Sequence, residues 1–350
     1  MRLVEPSARI ITPNCELRTS MHSGAVPVLA HRTDQPLDID LLLASTDDKR
    51  LSSRRTPAGT MWCYTEIPVG PRRSAFSHKS LVQPQIQVVR YALDSTVLPL
   101  VTETLTVAEA VRRALMGIHG WLTEKNDVRG RSDVLSGKDE QGERLIGHGH
   151  AYYLPTDEDG DGRLDHLTVY SAQGFGPDER SAFDRLRELR TGRGVEESHP
   201  LRLLLLGMGN TEEYRPGPLK ASCVWVSATP YIATRYAKTR GRHRIDLGSP
   251  DVRAEFLQED LRAQLSAVRS DLVEEEFLEV QIEPLWDANR VFLIADRWRT
   301  IQFKRFRNRA GDDGGQRLAG AFRLTFRKPV FGPVSLGWSN HFGLGQFMAK

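Results

Sequence analysis

Three histidines and a run of alternating carboxylates lie within nineteen residues of one another: His148-Gly-His150-Ala-Tyr-Tyr-Leu-Pro-Thr-Asp-Glu-Asp-Gly-Asp-Gly-Arg-Leu-Asp-His166. Imidazole exchanges protons near neutral pH, so the pattern offers general acid and base groups on a short segment. The acidic part reads Asp157-x-Asp159-x-Asp161-Gly162-x-x-Asp165. It reproduces positions 1, 3, 5, 6 and 9 of a calcium-binding loop, with glycine where the chain must turn sharply. Position 12, normally a bidentate glutamate, is Thr168. Two readings follow: the four aspartates cage a structural Ca²⁺ or Mg²⁺, or the segment is a solvated turn rich in Asp and Gly. Neither makes the carboxylates the catalysts, because an oxygen cage uses up most of the ion's coordination positions.

The flanks of the turn are aromatic and β-branched, which predicts strands over His148 to Leu154 and Leu164 to Tyr170 and makes the whole a β-hairpin. With Leu154 opposite Leu164, Tyr152 pairs with His166 and His150 with Thr168. Alternation then puts His148, His150, Tyr152 and His166 on one face, and any even shift of register keeps that parity. The plainer reading is that one or more of these histidines only hydrogen-bonds the turn or the core.

The elements that would carry this hairpin form an ordered series. Ile86 to Leu93 reads as a strand. Thr106-Val-Ala-Glu109 reads as a capping box opening a helix with Val107, Val111, Leu115 and Ile118 on one face. After the two histidine strands comes a helix from about Pro177 to Arg190, with Phe183, Leu186 and Leu189 in one stripe, and then the apolar run Leu201 to Leu206 as a buried strand. Strand, helix, strand, strand, helix, strand is the ferredoxin-like order. A second set follows: a strand over Ser222 to Ser227, a helix capped by Ser249-Pro250 with Leu257, Leu261, Leu265 and Val268 along one face, and strands near Leu278, Val291, Ile301 and Phe322. The expected class is therefore α+β, with tandem ferredoxin-like domains at 85–215 and 216–350. Residues 1–84 show turn signals and short elements such as Leu37 to Ala44. Arg129 to Arg144 and Ala310 to Arg317, rich in Gly and charge, are predicted to lack fixed structure.

The second half adds cations and glycines. Arg235, Lys238, Arg240, Arg242 and Arg244 fall in a loop without acids, while Arg299, Lys304, Arg305 and Arg307 interleave with Trp298, Phe303 and Phe306. Basic groups for phosphates beside aromatic rings for bases suit single-stranded RNA, and a solvated basic face is the plain alternative. Near the C-terminus Gly337, Gly343 and Gly345 surround His341, and closely spaced glycines let backbone amides approach a phosphate.

Composition bounds the class. Of 350 residues, 27% are charged and 39% hydrophobic, the balance of a globular protein with a sizeable core, and net charge is only +3. No apolar run has the length of a membrane span, and the N-terminal residues lack a signal-peptide core, so a cytoplasmic location is expected. Cys15, Cys63 and Cys223 match neither a zinc pattern nor an even disulfide set and are expected to be reduced.

Three segments taken together resemble a known family. Gly337-x-x-x-x-x-Gly343-x-Gly345 is similar to the C-terminal glycine-rich loop of repeat-cleaving endoribonucleases in the RAMP superfamily of CRISPR-associated proteins. The histidine hairpin, Val224-Trp-Val-Ser-Ala-Thr-Pro230 and His341-Phe-Gly-Leu-Gly345 resemble the type I-G (formerly I-U) proteins that fuse a crRNA handle-binding subunit to a repeat endonuclease. The similarity runs from about Asn14 to Phe347, and residues 1–84 would be the remnant of a longer handle-binding half or a linker. The resemblance implies a CRISPR repeat RNA as ligand, other subunits of a type I effector complex as partners, target DNA met only indirectly, and no membrane. It implies cleavage by attack of a ribose 2′-hydroxyl on the adjacent phosphate, with no cofactor required. His150, His166, His148 and His341 are the candidate proton-transfer groups, in that order, Tyr152 could orient one of them, and His119 ranks last because its sequence surroundings offer no partner. A non-catalytic subunit that caps the guide RNA and a calcium-stabilised binding module are the competing expectations.

Overall fold

The computed structural model describes residues 25–31, 60–66, 85–125, 128–139, 141–189, 199–238, 240, 242, 244–269, 272, 279–307 and 311–350. The chain divides into two compact units, 1–82 and 83–350. In the first, β1 (Ala25–His31) and β2 (Thr60–Glu66) form an antiparallel pair, with Val28 opposite Cys63. The expected element at Leu37 to Ala44 lies outside the described residues.

The second unit is built on two five-stranded antiparallel sheets. The first takes β3 (Ile86–Asp94), β4 (Tyr152–Thr156), β5 (His166–Phe175), β6 (Glu188–Leu189) and β7 (Leu201–Gly209) in the order β4-β5-β3-β7-β6. Helix α1 (Thr104–Leu122) follows β3, the one-turn α2 (Asp133–Ser136) precedes β4, and α3 (Pro177–Arg185) follows β5. Without the short β6, this is the ferredoxin-like arrangement, in which each helical crossover skips one strand. Val89, Tyr91 and Leu93 of β3 pack with Val107, Val111 and Leu115 of α1 and with Phe183 of α3.

The second sheet takes β8 (Ala221–Ser227), β9 (Gln281–Pro284), β10 (Phe322–Phe331), β11 (Val334–Ser335) and β12 (Gln346–Ala349) in the order β9-β10-β8-β12-β11. Helix α4 (Pro250–Val268) crosses from β8 to β9, and the Ser249 hydroxyl accepts from the Val252 amide at its start, as its sequence predicts. The order is again ferredoxin-like, with one substitution. Where the second helix would connect β10 to β12, the chain carries residues 336–345, the glycine-rich segment.

Several expectations are corrected. Helix α1 begins at Thr104, where a 3-10 turn over Val101–Glu103 feeds into it, so Thr106 is helical and no cap. Helix α3 ends at Arg185, and Leu186 and Leu189 reach the core from beyond it. In β7 only alternate residues are buried: Leu201 and Leu203 are covered, whereas Leu204 and Leu206 are 65% and 50% exposed. That is the alternation of an antiparallel strand open on one face. Ile301 lies in a 3-10 turn, and Leu278 falls outside the described residues. The segments expected to lack structure carry some: α2 and a bridge of Lys138 with Arg144 in one, a 3-10 turn over Gly314–Gln316 in the other. Among the described residues no helix is long and apolar enough to cross a membrane. Cys223 carries a free, half-buried thiol.

Candidate active site

Strand pairing in the hairpin is four residues out from the expected register: Tyr152 faces Tyr170 and His166 faces Thr156. Parity survives the shift, but position does not. His166 stands at the acidic-turn end of β5, about 13 Å along the strand from the level of Tyr152 at roughly 3.3 Å per residue. The upstream strand also starts later than its composition suggests, at Tyr152. Gly147 has φ +91°, and Gly149 accepts from the Gln173 amide and the Ser171 hydroxyl. The Ala151 amide donates to Val134 O of α2. His148 and His150 therefore sit in a bent segment held to β5 on one side and to α2 on the other.

The glycine-rich segment brings the fourth histidine to them. Ser339, Gly343 and Gly345 have positive φ, and this tight path lays His341 and Phe342 against the edge strand β4. A Cβ on Gly345 would stand 1.8 Å from Leu336 O, one on Gly337 2.5 Å from Ile232 O, and one on Gly343 2.7 Å from the Thr104 methyl. The amides of Gly343 and Gly345 donate to Asn340 O and Pro230 O. These glycines are thus needed for the close path of the chain itself. The sequence reading that Gly343 and Gly345 offer bare amides to a phosphate is corrected accordingly.

The result is a stack. The His341 ring lies 3.8 Å from His150 with 8° between planes, 3.8 Å from Tyr152 at 21°, and 5.3 Å from His148 at 12°. His341 Nδ1 is 3.2 Å from Ala151 O, and its Nε2 is 3.0 Å from His148 Nδ1. A carbonyl oxygen only accepts, so in a neutral His341 ring the hydrogen is on Nδ1 and the lone pair on Nε2. His148 then donates from Nδ1, which leaves its own Nε2 with a lone pair. His150 Nδ1 is buried with no hydrogen-bond partner among the described residues. Its other edge meets Gly137, where a Cβ would come within 2.9 Å of Nε2.

All three rings are held below the usual histidine range. Burial does most of this at His341 and His148, and at His150 burial, then the charges of His148 and Arg112, bring it to about 4. They are neutral at pH 7 and able to accept protons. Burial pushes the Tyr152 phenol up, so it stays a hydroxyl.

His150 and His341 form part of the wall of a cavity of about 500 Å³ that also takes in Arg112, Lys138, Arg144 and Arg307, and among the described residues no carboxylate lines it. Arg112 donates to Ser136 O, which fixes α2 against α1, and Arg307 lies 3.9 Å over Phe342 while bonded to Glu109 at 2.7 Å. Sequence reasoning missed Arg112, Lys138 and Arg144. A signal was present in Ser132 and Gly137, the cap pair of a one-turn helix: the Ser132 hydroxyl accepts from the Leu135 amide and Gly137 takes φ +67°.

His166 is elsewhere. Its Nδ1 is 3.0 Å from Asp165 Oδ1, without the alignment of a hydrogen bond, and 4.0 Å from Glu158 Oε2. Glu158 in turn pairs at 2.7 Å with buried Arg90, which donates to Thr168 Oγ1. His119 is buried and does have a partner, Glu179 of α3 at 3.6 Å. In the acidic turn Asp157, Asp159 and Asp165 bring oxygens within 4.8 Å of one another, and Asp161 does not join them. Asp157 accepts from the amides of Gly160 and Gly162, and Asp161 from that of Arg163.

The basic residues of the second half divide. Arg307 lines the histidine cavity. Arg235 is taken up by Glu259, Asp260 and the Phe256 ring. Arg305 donates to Gly315 O and Arg317 O. Lys304 lies 5.9 Å over Phe306, and Lys238, Arg240, Arg242, Arg244 and Arg299 are exposed.

No family model matches the chain, and no curated protein matches it. Among solved structures, the crystal structure of Cas6b is similar at 10% identity and a TM-score of 0.40, over 75% of this chain and 100% of that one.

Proposed function

We propose that this protein binds the repeat RNA of CRISPR transcripts and cleaves it by metal-independent transesterification at the histidine stack. The observation that carries the reading is convergence. Three neutral imidazoles from two distant segments stack together, and two of them, His150 and His341, wall a cavity that among the described residues is lined by four cations and no carboxylate. A lone-pair nitrogen takes the proton of a ribose 2′-hydroxyl. The O2′–P bond forms as the P–O5′ bond breaks, and the freed 5′-oxygen takes up a proton. The products are a 2′,3′-cyclic phosphate and a 5′-hydroxyl.

His148 suits the role of base: its Nδ1 is engaged with His341, and the His341–Ala151 bond orients the pair. His150 suits the role of acid. A bound phosphate beside it favours the imidazolium that burial disfavours in the free protein. Arg112, Lys138, Arg144 and Arg307 stabilise the charge that builds on the phosphorane. The acidic turn is scaffold. Asp157, Asp159 and Asp165 supply oxygens for one Ca²⁺, while Thr168, bound to Arg90, is not free to stand in for the missing glutamate.

The test is incubation of the full chain with its host's repeat RNA in EDTA, with product ends analysed. Cleavage to a cyclic phosphate is expected. Binding without cleavage would leave a capping subunit, and no binding at all would remove both RNA readings.

A further inference from the structure

Beyond the histidine cavity, and sharing Arg112, Met116 and Phe342 with it, runs a groove of about 620 Å³ between α1 and residues 128–131. Its charge is one-sided. Arg112, Arg113, Arg129 and Arg131 line it, and the one acid among its described lining residues, Glu109, is already bonded to Arg307. Arg113 and Arg131 are exposed and make no ion pair among the described residues. Arg129 reaches Glu124 at 3.5 Å, a pair whose arginine is 69% exposed.

Glycines shape the floor. Gly117 is exposed, and a Cβ there would meet nothing within 4 Å, so the helix backbone is bare at that point. One turn further lies Gly120, and a Cβ there would come 3.3 Å from Gly130 O. At Gly130 a side chain would strike Thr123. These two small residues let the 128–131 segment run close along the helix and form the second wall. Trp121, four residues after Gly117 and so next along that side of the helix, is 60% exposed. Arginines spaced along a bare backbone, with an open aromatic ring beside them, match a single polynucleotide strand: phosphates meet guanidinium groups and one base stacks on the indole.

We infer that the α1 groove is the track for a single-stranded flank of the RNA whose scissile phosphate sits at the histidines. This rests on the proposed RNA reading and extends it from the point of cleavage to a second binding surface, one that none of the basic stretches noted in the sequence includes. The ligand class is RNA with an unpaired segment adjoining the cleavage point.

The test is a salt titration of affinity, using the full chain, the repeat RNA with its unpaired flanks, and the R113A/R131A double variant, with W121A measured separately. Loss of two phosphate contacts on a single strand should lower the slope of log K against log salt by about 1.4, at roughly 0.7 for each contact. Affinity at moderate salt should fall about tenfold, and W121A should weaken binding about tenfold without changing the slope. An unchanged slope and affinity in the double variant, with wild-type cleavage intact, would overturn the groove and leave the cleavage reading standing. The full loss of slope in a protein that binds but never cleaves would support the groove and remove the nuclease reading. No RNA binding by the wild type would overturn both. Thermal melts show whether the variants are folded, and R113Q/R131Q repeats the measurement if the alanines are not tolerated.

Discussion

The two histidine regions share a residue type and a strand pair but have opposite surroundings. At one end of β4, His148, His150 and His341 stack in a half-buried cluster, and among the described residues the charged side chains that line its cavity are all cations. At the other end His166 faces Asp165 and Glu158, with Arg90 neutralised in a buried ion pair. An RNA phosphate is attracted to the first place and repelled by the carboxylates of the second. Proximity in sequence gave the two ends equal claim to the chemistry. What separates them is a four-residue difference in register and the glycine-rich segment, which brings His341 to only one of them.

The largest effect that would break this comparison is an exchange of roles. Replacing His148 or His150 by alanine should lower single-turnover cleavage by about 10² to 10⁴, the usual contribution of a positioned proton-transfer group. Replacing His166 should leave the rate within about threefold. RNA affinity should stay within a few fold in all three variants, because the cavity's four cations are untouched. Loss of cleavage in His166→Ala alone, with His148→Ala active, would reverse the assignment.

A middle-sized effect follows from burial. His150 takes its proton near pH 4 in the folded protein, while an unfolded chain takes it near the ordinary 6.5. Between those values the unfolded state binds more protons, so stability is full above about pH 6.5 and falls as pH drops toward 4. At roughly 1.4 kcal/mol per pH unit of difference, discounted for the solvent that reaches a partly exposed ring, the loss is about 2 kcal/mol. Urea melts from pH 7 to 4 measure it. His150→Gln should flatten that acid limb. An equally steep limb in His150→Gln would show that the cluster is not the source.

These contrasts also show what a sequence can carry. The first ferredoxin-like order was readable, and so was the opening of the second, because hydrophobic period and caps such as Ser249-Pro250 are local properties, whereas the closing strand β12 was not read, since the C-terminal segment stood out only for its glycines. The parity of the histidine hairpin was readable for the same reason. Its register was not, since Leu154 finds Thr168 opposite and the turn, residues 157–165, is centred two residues later than the flanking composition suggests. The stack was only half visible: His341 was flagged by its glycines, but its contact with His150 spans 191 positions and depends on the close backbone path through Gly337, Gly343 and Gly345. Charge density misled at 129–144. There the segment looks unstructured in sequence, yet Lys138 and Arg144 line the site, just after a four-residue helix that its caps define.

The smallest predicted effect concerns the acidic end. If the turn is scaffold, its ion should act on stability and leave the chemistry alone. Three carboxylate oxygens within 4.8 Å repel one another, and burial already holds Asp157 above its ordinary range, so a divalent cation relieves a cost built into the folded state. At a Ca²⁺ concentration ten times its dissociation constant, binding to the native state alone adds about 1.4 kcal/mol. For a unit of this size that raises the melting temperature by about 2.5 °C. The shift should vanish in Asp157→Asn, which removes one ligand charge, and persist in Asp161→Asn, whose carboxylate lies outside the cluster. The cleavage rate in EDTA should match that in Ca²⁺ within about twofold. A rate that rose tenfold or more with the ion would move the acidic turn from scaffold to catalyst and would make the two ends of the hairpin partners in one reaction.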